Sequence, residues 1–510
     1  MVGQAGAPAE VDVVVVGGGG TGLAAAIEAR LMGRQVVLLE KNPELGGSTA
    51  WSIGSITASN TRHQRREGIQ DSPLEHFEDM PKFAPEVAHL DNDELRWLLC
   101  QEMPDTFQWL LDKGIRFHGP VPEPPHRKPR MHTVLPNAKA YIYHLERYAR
   151  RSGVDVRKDL RANTLIVESG RVIGVACEGP TGTQRFLGRG GVVLTAGDFT
   201  NSPELKAEYI SDQAAKVEGV NPTATGDGQV MAIELGARII NGDQALGPEI
   251  RFIAPEGEGL VGRLPPWGPL AALMEWSMGN LPQWLLRPFV LSFLTTALAP
   301  TPALFDEGAV LVNKLGKRFC DELDGPAFAL PDQPDKVGYI VVDEQIAKKF
   351  SAWPHYISTA PSVAYAYMPD YRRNRPDVYN SAASWAQLAA KLDVEAGILE
   401  TAVAEHNAAL DTLGSDGDNR PRPKLESPPF YALGPVRSVF VHNEGGLVVD
   451  SEHRVLDGDD QPIPGLFAAG ATGQGGLLLK GHGHHLAWAF TSGRRAGRRA
   501  AFEVTTSDLE

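Results

Sequence analysis

A chain of 510 residues is long enough to build two lobes around separate cores, and its Gly and Pro content suits a loop-rich α/β enzyme. A formal charge of −14 excludes nucleic acid as a partner, because a phosphate backbone needs a basic face. Three scattered cysteines, Cys100, Cys177 and Cys320, exclude a Cys-x-x-Cys redox pair. With no basic-then-apolar leader in the first ten residues, they predict a cytoplasmic protein.

The first predicted unit runs from Val13 to Glu40: an apolar strand, Gly17-x-Gly19-x-x-Gly22, a small-residue helix, and the strand Val36–Leu39. Gly17 permits a tight turn, Gly19 lets backbone approach a pyrophosphate, and Gly22 lets helix and sheet pack closely. Gly20 and Thr21 open the helix, whose free N–H groups and positive dipole end face phosphates. Glu40 follows about 20 residues on, where a carboxylate accepts hydrogen bonds from a ribose, and Lys41 is next to it. Gly46-Gly47-Ser48-Thr49-Ala50 then supplies further N–H groups and hydroxyls.

Helical patterns follow over 74–115 and 138–152, and short strands over 155–178 and 185–196. The last strand runs into Ala196-Gly197, and Thr225-Gly226-Asp227-Gly228 opens a helix that ends at Gly236. From about 246 the character changes. The apolar stretch Leu264–Phe305 is too interrupted by proline to span a bilayer. It reads as a lobe contact and apolar substrate mouth in preference to a membrane-resting surface. Amphipathic helices are predicted over 343–351 and 381–412, and the strand-and-glycine style returns near 431. A final helix covers 483–502, with Arg494, Arg495, Arg498 and Arg499 as a solvated face at its end. The expected architecture is α/β. A Rossmann-like FAD domain of the glutathione-reductase type (1–245 and 431–506) is interrupted by an α+β cap (246–430).

Only one dinucleotide fingerprint is visible, so that unit must hold the cofactor that performs the chemistry, and the pattern favours FAD over NAD. The final helix would aim its N-terminus, from Gly483 to Leu486 and Ala487, at the flavin and stabilise its reduced anion.

Beyond the fingerprint, further motifs follow in order: Thr195-Ala196-Gly197-Asp198-Phe199, Asn313-x-x-Gly316-x-Arg318-Phe319-x-x-Glu322, Pro429-Phe430-Tyr431, His442-x-x-Gly445-Gly446 and Gly465-Leu466-Phe467-Ala468-Ala469-Gly470. Over nearly the whole chain this series resembles the fumarate reductase/succinate dehydrogenase flavoprotein family, in particular its 3-ketosteroid dehydrogenase branch. The resemblance implies FAD, a mobile cap, and hydride exchange between flavin N5 and a carbon next to an activating carbonyl. It also implies cofactor contacts at Asp227 and Gly470, and substrate contacts at Glu322 and at His132.

The departures bear on mechanism. His442 matches the family's His, but Asn443 and Glu444 follow it. Lys480 takes the place of the C-terminal Arg, and the proton-donating Arg position falls on Ala347. With that Arg lost and Glu444 gained, fumarate reduction is not expected; the tyrosine base of the ketosteroid enzymes falls on Pro326, so the proton-handling groups must differ. Lys480 and His442 are expected to hold a carbonyl. In Lys480-Gly481-His482-Gly483-His484-His485, His484 ranks ahead of His482 as a proton-moving group, and Tyr365 is the proposed cap base. No metal is expected, since His482 and His485 lack a third ligand in the sequence nearby. The leading reading is an FAD-dependent desaturase of an apolar, cyclic ketone, acting on a CH–CH bond. It would be reoxidised by a quinone, a carrier protein or oxygen. An enoate or enone reductase fed by an external donor is the alternative, and a flavin-bound non-catalytic subunit is the third.

Overall fold

A computed structural model describes residues 8–255, 263–282, 291, 295, 298–360, 364–413 and 423–507. At its centre is a six-stranded sheet in the order Arg454–Leu456, Pro462–Ala468, Val192–Leu194, Val13–Val16, Val36–Leu39 and Asp155–Arg157. All neighbours run parallel except Arg454–Leu456, which returns antiparallel along the edge. The four valines at 13–16 are buried on both faces, as continuous β-branched runs are in parallel sheets. Val192–Leu194 pairs with Val14–Val16 on one side and Leu466–Ala468 on the other, so the C-terminal segment completes a sheet begun at the N-terminus.

The helix Gly20–Leu31 is buried from Gly20 to Ala29 and lies against the final helix, His484–Ser507. Its small residues are what that contact demands: a Cβ on Gly493 would come 2.4 Å from the Thr21 carbonyl oxygen. The final helix runs past the predicted end at 502, which corrects the reading of its arginines. Arg494 and Arg498 reach the buried Glu28 of the first helix at 3.5 and 3.1 Å, Arg495 pairs with Glu102, and Arg499 pairs with Glu503 at 2.6 Å. Arg494, Arg495 and Arg498 tie the helix to its neighbours, the buried Glu28 carboxylate needing cations, while Arg499–Glu503 lies within the helix itself.

A second sheet carries Val310–Asn313, Gly338–Val342 and the long strand Phe430–Phe440, which also pairs with Glu249–Phe252 and Tyr379–Ala382. It anchors a hydrophobic core drawn from Ile250 to Val436, whereas the first core draws on Val13–Ala237 and Leu447–Ala501. The fold is therefore α/β with mixed sheets and an inserted cap. Phe430–Phe440 carries the chain out of the cap and delivers His442 to the seam.

Two predicted helices are divided. The 74–115 pattern becomes Pro73–Asp79, a 3-10 turn Met80–Phe83 and Asp93–Asp112, since Pro81 and Pro85 interrupt it. The 381–412 pattern becomes a strand, then Trp385–Leu392 and Ala396–Leu413, separated where Asp393 adopts a left-handed conformation. Of the apolar stretch 264–305, Gly268–Asn280 is helical with Leu273 and Trp276 exposed, and residues 283–290, 292–294 and 296–297 lie outside the described residues. No helix among the described residues is long and apolar enough to cross a membrane.

Candidate active site

A cavity of about 710 Å³ runs between the two cores, from the glycine turn after the first strand to the start of the final helix. Its nucleotide end is built by local sequence. Gly17 turns with φ +107°, and a Cβ on Gly22 would sit 1.8 Å from the Gly17 carbonyl oxygen, so the helix can start here only on glycine. Gly17, Gly19, Gly20 and Thr21 line the cavity, as do Glu40, Lys41, Gly47, Ser48, Thr49, Ala196, Gly197 and Asp227.

Glu40 accepts from the Gly18 N–H at 2.7 Å and from Asn42 at 2.8 Å, which fixes its carboxylate at the end of the second strand. Gly20 N–H donates to Thr49 Oγ1 at 3.2 Å, binding the second loop to the phosphate turn. A Cβ on Gly197 would meet nothing within 4 Å, so backbone there leaves room for a ligand at its surface. Lys41 Nζ lies 3.0 Å from Asp227 and 2.6 Å from Thr225 Oγ1. These two predicted cofactor residues are thus each other's partners and brace the cavity wall. The turn, the helix N-terminus, the placed carboxylate and the bare Gly197 surface fit a flavin dinucleotide.

Gly22, Ala50, Gly470 and Ala487 stand behind the lining. Gly470 abuts Thr21 Oγ1, its N–H donates to Ser492 Oγ at 2.9 Å, and Ala487 is fully buried beneath Leu486, which does face the cavity.

The other end is assembled from distant segments. His442, Lys480, His482, Gly483 and His485 line it, where the final helix begins. Behind them lies Glu444, fully buried. Its Oε2 accepts from the Leu479 N–H at 3.0 Å and from Gln474. Its Oε1 has no hydrogen-bond partner, and His442 Nε2, Lys480 Nζ and His485 Nε2 each stand 3.6 Å away. Burial alone would raise the Glu444 carboxyl, but His485 and His442 beside it hold it well below the usual range. Burial, reinforced by His485, lowers His442 to about 4, so its ring is neutral near pH 7.

Four predicted functional residues stand elsewhere. His484 is buried on the far side of the turn, its Nδ1 2.6 Å from the Lys480 carbonyl oxygen and its Nε2 3.2 Å from His76 Nε2. A helix that starts at His484 points successive side chains about 100° apart, so His485 reaches the cavity and His484 does not. His132, on the strand Met131–Leu135, is fully buried against Thr61 Oγ1 at 3.2 Å and the ring of Phe107. Glu322 is buried in the cap, where Arg318 holds it at 2.7 Å and the Leu311 N–H donates to it at 3.0 Å. Tyr365 packs between Trp353 and Tyr356, and it is Tyr356 that lines the cavity.

Glu123 is a residue the sequence did not reveal. It sits in the loop after Arg116–Val121 and bonds His482 across the chain, with no local motif to mark it. His442, Glu444 and His485 place ligand atoms within 4.8 Å of one another, so His485 does gain the neighbours it lacked in sequence, but the Lys480 ammonium already answers that carboxylate.

A single phosphate-binding turn opening one sheet, a cap inserted in the chain, and a cavity at the seam define a flavin-dinucleotide oxidoreductase. The sequence pattern of the FAD binding domain family matches residues 12–246 and 286–478, and the chain belongs to that family. FAD is its cofactor, and the chain is related to fumarate and enoate reductases. It is 26% identical over 473 residues to NADH:fumarate oxidoreductase of Klebsiella pneumoniae (strain 342), covering 91% of this chain and 44% of that protein. It therefore spans less than half the length of this relative. Urocanate reductase of Eggerthella lenta is 28% identical over 480 residues, with 90% of this chain and 69% of that protein covered. 4-Oxocyclohexanecarboxylate 2-dehydrogenase of Sinomonas cyclohexanicum is 25% identical, covering 98% and 94%. Among solved structures, the open conformation of a flavocytochrome c3 fumarate reductase matches with a TM-score of 0.70 at 25% identity, covering 98% of this chain and 79% of that one.

Proposed function

We propose that this flavoprotein reduces a carbon–carbon double bond conjugated to a carbonyl group, with electrons from an external donor. The observation that carries the reading is the gathering of Lys480 and His442 on the buried Glu444 at the cavity wall. When bound, FAD supplies the two-electron exchange. The Lys480 ammonium and the neutral His442 ring hold the substrate's carbonyl oxygen and stabilise the negative charge that develops on it. Glu444 fixes both groups, and the start of the final helix adds its positive dipole end. The nucleotide is held by Gly17, Gly19, Gly20, Thr21, Glu40, Gly47, Ser48, Thr49, Ala196 and Gly197.

Relatives named for fumarate and urocanate reduction support this direction. The substrate is a mono-carbonyl compound with an apolar body, because Lys480 shares Glu444 with His442 where a carboxylate clamp would be, Arg251 is held by Glu249, and the mouth is lined by Leu298, Ala299, Pro300 and Tyr356. The reverse reaction, desaturation of a cyclic ketone as in the ketosteroid dehydrogenases, is the second reading. The apolar mouth and the similarity to 4-oxocyclohexanecarboxylate 2-dehydrogenase favour it. A quinone, a carrier protein or oxygen would then accept the electrons.

Anaerobic mixing tests both. FAD-loaded protein reduced with dithionite is expected to reoxidise with mono-enoates or cyclic enones and not with fumarate. Bleaching of oxidised protein by saturated cyclic ketones establishes the second reading, and silence in both directions leaves a flavin-bound subunit without this chemistry.

A further inference from the structure

Reducing an activated double bond needs a proton for one carbon as well as a hydride for the other. The positions that serve this purpose in the resembled families carry no proton here, being Ala347, buried in the cap, and Pro326, and the cap candidate Tyr365 lies off the cavity. Among the groups lining the reaction end, Lys480, His442 and His485 share Glu444, and Arg251 is held by Glu249 at 2.9 Å. His482 is arranged differently. Its ring Nδ1 is 2.5 Å from Glu123 Oε1, and its backbone N–H donates to the same oxygen at 3.0 Å. Its carbonyl accepts from Thr57 Oγ1 at 2.6 Å, so the residue is pinned from both sides.

We infer that His482, oriented by Glu123, is the group that gives the substrate its proton in the reduction and takes it back in the reverse direction. This rests on the reading of the site proposed above. The Nδ1–H bond to Glu123 leaves Nε2 as the working nitrogen, the logic by which a buried carboxylate fixes a catalytic imidazole. Glu123 is buried, and its Oε2 has no hydrogen-bond partner, so its charge is answered chiefly through His482. The hydrogen bond to Glu123 raises His482 above its ordinary value. Burial opposes this, and Glu123 and Glu249 add to it by charge. Lys480, two residues away, and Arg251, paired to Glu249, also line the cavity wall. His482 therefore holds its proton more tightly than a free imidazole, while burial lowers His442 on the same wall to about 4.

The balance is simple. The substrate's π bond is replaced by two C–H bonds. One carbon takes a hydride, two electrons that originate in an external donor such as a reduced nicotinamide or a carrier protein. Its neighbour takes H⁺ from His482 Nε2, and the neutral ring is re-protonated from solvent, to which 46% of its side chain is exposed.

The test uses FAD-loaded protein with histidine labelled for NMR, assigned through His482→Gln, and single-turnover reoxidation of the dithionite-reduced protein by a cyclic enone as a function of pH. His482 is expected to titrate above about 6.5. Glu123→Gln is expected to bring it back to that value and to move the pH limb of reoxidation to lower pH. His482→Gln is expected to slow reoxidation by about 10²–10⁴-fold without loss of bound flavin. A wild-type His482 that titrates at or below its ordinary value, or a His482→Gln variant as fast as wild type, overturns the assignment. If no enone or enoate reoxidises wild-type protein, the proposed reaction falls by itself. The titration then decides the pair separately: a raised value that collapses in Glu123→Gln upholds it, and any other result removes it.

Discussion

Two trios of imidazoles flank the turn from Lys480 to His485, and they have opposite surroundings. His76, His126 and His484 are buried behind it, His76 stacked on His484 and the other rings, with Phe83, meeting edge to face. Arg130 occupies His126 Nδ1 at 2.9 Å, and burial lowers His484 to about 4. His442, His482 and His485 face the cavity, and each has a carboxylate oxygen beside it, at Glu444 or Glu123. Adjacent residues, His484 and His485, fall into different trios. Residue type therefore says little about role. A direct hydrogen bond to Glu123 raises His482, whereas burial keeps His442 a neutral ring even beside Glu444.

The largest effect is on stability in acid, where His442, lowered to about 4, behaves like the buried trio and His482 does not. His76 and His484, and likewise His132 (held at about 3 by burial), accept a proton in the unfolded chain near pH 6.5 but resist it when folded. As pH falls below 6.5 the unfolded state binds more protons, so stability is lost through that window down to about pH 4, by about 1.4 kcal/mol per pH unit for each ring. His482 acts with the opposite sign: its folded value is raised, so its contribution is present below 6.5 and fades as pH rises through it. Urea denaturation followed from pH 7 to 5 should show a steep net loss, and a flat profile would break the comparison.

Next comes Glu444→Ala. It strands the groups around one buried carboxylate, and about 3–5 kcal/mol of stability should go with it. A denaturation midpoint indistinguishable from wild type would mean that the cavity trio does not depend on that charge. Lys480→Met should lower the midpoint, because Glu444 loses its ammonium partner, and slow single-turnover reoxidation by roughly 10²–10³-fold, as loss of a charge-stabilising donor does. Equal rates would leave carbonyl holding to other groups.

The smallest effect sharpens the contrast from the buried side. His76→Phe removes the partner of His484 Nε2, and about 1–3 kcal/mol of stability is expected to be lost with the pH–rate profile unmoved. A shifted profile would show that the buried trio feeds protons to the cavity.

The nucleotide end was legible because it is local. The strand, turn and acid from Val13 to Glu40 are set by steric needs within one unit, and the motif order placed Ala196 and Gly197 opposite them. Lys480 and His442 were legible as a pair only through the family pattern. His484 was ranked above His482 because a run of histidines at a helix start does not show which side chain turns inward. The sequence does not separate Tyr365 from Tyr356 for the same reason, two rings in packing contact with only Tyr356 at the surface of the cavity.

By itself the sequence determined that a dinucleotide-binding sheet exists, that its cofactor is a flavin, and that the usual proton donors of related enzymes are missing. Only the tertiary structure decided what replaces them. Glu123 and His482 stand 359 positions apart in the chain, yet share a hydrogen bond. Backbone sterics act over a few residues and leave a readable pattern. Electrostatic partnership acts through space, and it is fixed only when the loop after Arg116–Val121 and the start of the final helix close on the same cavity.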